Sequence, residues 1–165
     1  MTRKQILAMV RKLIADEQST GFTEGGNLEE PEGTQELLNY LNRAVDEYSK
    51  RQAASLDVRL VKNMEVTYGM PLPNDFLSFV GVVPLRIDGK IIVTYGVELS
   101  MPVRYFARLP YVTDFKDTDE LPYDKDQQIA ISAMAAIYAL NKHEDDISQH
   151  LLLMGYGTNA ANQSA

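Results

Sequence analysis

Residues 124–142 set the strongest constraint on how this chain can fold. From Asp124 the segment reads as a helix, with Asp124 and Gln127 at capping-box-like spacing. Ile129, Ala133, Ile137 and Leu140 fall on one side, and Ile131, Met134 and Tyr138 on another. A helix that is apolar nearly all round must be enclosed by other elements. The alanines at 130, 133, 135, 136 and 139 would let neighbouring helices approach closely. The strongly apolar run, 129–140, is about half the roughly 20 residues that a bilayer span takes. It therefore reads as core, and no membrane span is expected. A chain of 165 residues can supply the surrounding layers within one ordinary domain.

Further helices are expected near 2–17, 34–55 and 145–154. Thr2 and Gln5 have capping-box spacing, and Ile6, Val10, Leu13 and Ile14 make one apolar stripe. Basic residues at its beginning and Asp16 and Glu17 at its end oppose the usual dipole preference. In the second helix Thr34 can cap, and Leu37, Leu38, Leu41, Val45 and Tyr48 share a face. Asn42, beside that stripe, reads as a hydrogen-bonding boundary residue. The fourth helix has Ile147, Leu151 and Met154 in register and Gly155 as its C-cap. The glycine- and glutamate-rich stretch 18–33 reads as a surface loop.

Between the second and third helices, 57–109 changes character. Val58, Leu60, Met64, Val66 and Tyr68 alternate with mostly polar residues, a strand pattern that Pro71 and Pro73 interrupt. The run 76–83 reads as a turn leading into a strand. The runs 85–87 and 91–95 flank Asp88-Gly89, a strong hairpin signal. A further strand is expected over 101–109. The fold class is α+β: a helical bundle carrying a β-rich, hairpin-containing insertion at 57–109, with a flexible C-terminal arm. The domain expectation is one unit, 1–154, followed by the arm, 155–165.

Chemistry is sparse. The net charge is −7, which argues against sequence-independent nucleic-acid binding. There is no cysteine, so disulfides and thiolate sites are excluded. No glycine-rich phosphate loop, nucleophile elbow or His-Glu-x-x-His pair is present. His143 and His150, with Glu144 and Asp146, could in principle hold a metal, but residues of this kind at a helix start are usually solvated. Asp114, Asp117, Asp119 and Glu120 read as a solvated acidic connection. Arg104 and Arg108, four apart, would share a side of a strand and bind a partner carboxylate, or snorkel along the sheet edge. Residues 58–112 carry a net charge of +2 and 113–146 of −6, an asymmetry that suits self-association.

Three stretches together resemble the head-to-tail adaptors (connector, head-completion proteins) of tailed bacteriophages. The first is the helix with Glu36-Leu37-Leu38-Asn39-Tyr40-Leu41-Asn42-Arg43-Ala44. The second is Leu72-Pro73-Asn74-Asp75-Phe76-Leu77 with the apolar run 80–83 behind it. The third is Arg104-Tyr105-Phe106-Ala107-Arg108-Leu109-Pro110, an acidic loop, Leu121-Pro122 and the alanine-rich helix. The resemblance covers about residues 1–154. It implies a structural virion protein at the head–tail junction, made in the host bacterial cytoplasm. It also implies a ring of commonly about twelve copies, bound to the portal protein on one side and to a tail or nozzle protein on the other. DNA would pass through the lumen without specific binding, and a negative lumen would let it slide. No enzyme activity, cofactor, metal or membrane contact is implied. A C-terminal arm would reach the portal or a neighbouring subunit, with Met154, Gly155, Tyr156, Gly157 and Thr158 as contacts and Tyr156 as anchor. Asp88, Gly89 and Lys90 of the hairpin, with Arg104 and Arg108, are the second candidate interface. The alternative is a monomeric or small-oligomer soluble protein-binding module without catalysis. A carboxylate- or metal-dependent hydrolase is the third class.

Overall fold

A computed structural model of the protein describes residues 1–14, 33–94 and 100–141. Among them are three helices and two small antiparallel sheets, so the fold is mixed α+β. The chain divides into two compact units, Met1–Ala44 with Val112–Ala165, and Val45–Tyr111. The helix expected over 145–154, the loop 18–33 and the arm 155–165 lie outside the described residues, apart from Gly33.

In the first unit, α1 spans Arg3–Leu13 and packs against α3, Lys125–Asn141. Thr2 and Gln5 form the expected capping box: Gln5 N–H donates to Thr2 Oγ1, and Thr2 N–H donates to Gln5 Oε1. The next two orphan donors are met from far along the chain. Arg3 N–H donates to the Asp119 carbonyl and Lys4 N–H to the Asp117 carbonyl. The helix ends at Leu13, earlier than the expected 17, so Arg11 and Lys12 occupy its last turn. There their charge favours the dipole instead of opposing it. The buried stripe is Ile6, Leu7 and Val10; Leu13, expected in it, is 48% exposed.

Helix α2 spans Thr34–Ala54. In its first part Leu37, Leu38 and Leu41 of the predicted apolar stripe are buried, and Ala44 is buried with them. Thr34 stands inside the helix as its first residue, and its hydroxyl accepts from buried Arg11 Nη2 at 2.8 Å. Asn42 is the boundary residue expected: its Oδ1 accepts from Val112 N–H, and its Nδ2 donates to Thr113 Oγ1. The α3 cap also holds, with Asp124 and Gln127 bonding reciprocally. Ile131, Met134, Ala135 and Ile137 are buried, but Ile129 is 47% exposed. It follows Lys125 and Asp126 by four and three residues, so it shares the wet side of the first turn. Arg43 lies over the Tyr138 ring, 4.3 Å from its centre.

The second unit joins the rest of α2 to both sheets. A 3-10 turn, Val58–Leu60, precedes β1, Val61–Val66, so the strand starts later than the alternation from Val58 predicts. Strand β5, Met101–Ala107, is central, with β1 on one side and β2, Phe76–Phe79, on the other, all antiparallel. One face of this sheet buries Phe106 against Leu60 and Ala53 of α2, with Val61, Leu77, Val80 and Leu109 around them. The other face buries Val66 and Val103 against Ile92 of the second sheet.

Candidate functional site

The second sheet is the hairpin that the sequence announces. Strand β3, Leu85–Asp88, pairs with β4, Ile91–Thr94. Asp88 is opposite Ile91, so the two-residue turn is Gly89-Lys90 and not Asp88-Gly89. The offset has a simple cause. Of the two turn residues only Gly89 has positive φ, at 62°, which matches a turn needing glycine at its first central position. The outer side of β4 is covered. Gly69 N–H donates to the Ile92 carbonyl, Ile92 N–H to the Met70 carbonyl, and Leu72 N–H to the Lys90 carbonyl. Asp88, Gly89 and Lys90 are all exposed at the hairpin tip, and Asp88 lies 3.9 Å from Arg86.

The five residues grouped as the hairpin interface do not form one surface. Arg104 is exposed on β5, opposite Asn63 of β1. It projects from the face away from Val103, and Val103 is what the hairpin packs on. Arg108 lies beyond the end of β5 and is tied into the unit, so it does not continue a strand face with Arg104. Its guanidinium sits 3.9 Å from the Tyr111 ring centre, donates to Tyr111 Oη at 2.7 Å and lies 3.5 Å from Asp46. Tyr111 Oη is 3.1 Å from both Asp46 carboxylate oxygens. Burial and the neighbouring Asp46 charge raise the Tyr111 phenol above its ordinary value. Arg108 thus clamps the end of β5 to α2, and it carries no free charge for a partner.

A second polar knot holds β2 to the sheet. Asp75 accepts from Lys62 Nζ at 2.6 Å and from Tyr105 Oη at 3.1 Å, while Phe76 stacks on the Tyr105 ring at 5.7 Å. Burial, then the Asp75 charge, pushes the Tyr105 phenol up to about 12. These groups are mutually satisfied and hold structure together.

The acidic connection serves α1. Besides the two carbonyls already described, Asp117 pairs with Arg3 at 3.3 Å, and Arg3 Nη1 donates to the Phe115 carbonyl. Among the described residues, no three His, Asp or Glu side chains converge as metal ligands. His143, His150 and the arm candidates Met154, Gly155, Tyr156, Gly157 and Thr158 lie outside the described residues.

The second unit carries a set of open apolar side chains: Leu56 70%, Val58 79%, Tyr68 64%, Val82 104%, Ile87 43% and Ile91 42% exposed. Leu56 is also the one non-glycine residue of positive φ, at 61°, among the described residues. It closes α2 in a Schellman arrangement: Leu56 N–H donates to the Ala53 carbonyl and Asp57 N–H to the Gln52 carbonyl. Sequence reasoning missed this, because the usual signal there is a glycine and the chain has leucine. Beside it, the Arg59 guanidinium holds the Asp57 carboxyl below its ordinary value.

No protein-family model matches the chain, and no curated protein is significantly similar to it.

Proposed function

We propose that this protein is a structural adaptor of a tailed-phage virion, a ring-forming link between the portal vertex and the tail. The observation that carries the reading is the open apolar side chains of the second unit. Leu56, Val58, Tyr68, Val82, Ile87 and Ile91 all leave apolar surface open in this one unit, surface that an assembly contact would cover. The three motifs that resemble adaptors support it further, since each falls on a defined element: α2, the entry into β2, and the end of β5 leading to α3. In this reading the helices form a bundle-like body and 155–165 is an arm that docks on the portal or a neighbour. About twelve copies close into a ring by a head-to-tail contact, and the genome passes through an acidic lumen.

The test is mass by light scattering, for the chain alone and mixed with rings of the portal protein encoded beside it. A defined complex with many copies per portal ring is the expected result. No association at low and moderate salt would overturn the reading in favour of a small soluble binding module.

A further inference from the structure

Among the described residues the hairpin has one covered edge and one open edge. On β4, Ile92 turns both its N–H and its carbonyl outward, to Met70 and Gly69. Its partner across the ladder is Ile87. In an antiparallel ladder such a pair is non-hydrogen-bonded, so Ile87 also turns its N–H and carbonyl away from β4. Among the described residues no strand lies on that side of β3. The Ile87 side chain points toward the packed face yet stays 43% exposed, and among the described residues no strand flanks it on that side. On the opposite face β3 carries Arg86 and Asp88, one on each side of Ile87.

We propose that this edge pairs with the same edge of a second copy of the chain, antiparallel and centred on Ile87. Ile87 of each copy then donates its N–H to the Ile87 carbonyl of the other. Arg86 of one copy falls opposite Asp88 of the other, twice, by symmetry. The two Ile87 side chains meet on the packed face and cover each other. Pro84, with no N–H, ends the ladder just before Leu85. The contact is isologous and closes after two copies. The outer edge of β1 is less suited to such pairing. It displays Lys62, Asn63 and Glu65, all exposed, the charged kind of edge that resists strand addition. A two-fold contact is distinct from the head-to-tail contact of a ring, so this inference stands apart from the adaptor reading.

The test uses charge reversal on the full chain. R86E alone sets like charges opposite each other in both pairs, and so does D88R alone. Mixed, the two variants restore opposite charges at both pairs. In the free wild type, mass by sedimentation should rise with concentration from 18.5 kDa toward twice that value. Each variant alone should dimerise at least about tenfold more weakly, and the equimolar mixture should recover the wild-type constant. The pair within one chain cannot produce that recovery. Amide exchange at Ile87 in the wild type, slowing as dimer forms, reads the same contact without any substitution. A wild type that stays monomeric at all concentrations, or variants that associate as strongly as wild type, would overturn the proposal. So would a mixture no better than its components, or Ile87 exchange independent of concentration. A wild-type ring unaltered by either reversal also overturns it and leaves the adaptor reading standing. Failure to bind portal rings does the opposite.

Discussion

Leu56 holds a left-handed backbone at the end of α2 while its side chain stands in water. An L-residue loses about 1–2 kcal/mol there, and glycine avoids that loss at a smaller cost in unfolded-state entropy. L56G should therefore stabilise the protein by about 0.5–1 kcal/mol, read as a higher urea midpoint with an unchanged slope. Ser49 behaves oppositely. It is fully buried, donates to the Val45 carbonyl at 2.7 Å and accepts from Leu109 N–H at 3.1 Å. S49A leaves that N–H without its acceptor and should cost about 1–3 kcal/mol in the same measurement. Tyr105 adds a pH signature. Its phenol titrates near 10 when unfolded and at about 12 when folded, because burial and then Asp75 disfavour the phenolate. Its contribution is complete below pH 10 and is lost as the pH climbs toward 12. A Tyr105→Phe variant should lose stability less steeply over that window than wild type, followed by chemical denaturation at each pH.

At the scale of elements, caps were the most legible feature. The Thr2/Gln5 and Asp124/Gln127 pairs both form the reciprocal bonds that their spacing predicts. D124A should cost about 1 kcal/mol by exposing the first turn of α3, measured as a lowered melting temperature. Boundaries were less legible, for physical reasons that differ case by case. The alternation from Val58 looked like strand, but Asp57 accepts from Arg59 N–H and folds 58–60 into a 3-10 turn first. The hairpin turn moved by one residue because one positive φ was enough. Ile129 left the core because it lies on the same side as the charges of the first turn. The cover that Met70 and Leu72 lay over β4 follows Thr67 and precedes Pro73, and no periodicity marks it.

For the whole molecule the consequences concern assembly. If the adaptor reading holds, deleting 156–165 should leave the melting temperature unchanged while weakening portal docking. A fall of several degrees would instead place that segment in the folded core. Of the interface candidates read from sequence, Arg108 should be the one whose loss destabilises the free chain, since Tyr111 and Asp46 both depend on it. Arg104→Ala should leave stability within about 0.5 kcal/mol of wild type, as exposed positions usually do.

The sequence by itself determined the α+β class, the apolar stripe of α2, the caps of α1 and α3 and the existence of the hairpin. Each rests on interactions between residues a few positions apart, where spacing alone decides who meets. Only the tertiary structure decided what the charged and polar groups are for. Arg108 meets Asp46 across more than sixty residues, and Asp117 meets Arg3 across more than a hundred. Which edge of the hairpin is covered was settled in the same way, by 69–72 returning to β4. Such pairings follow from how the chain closes on itself, and local pattern carries no record of them.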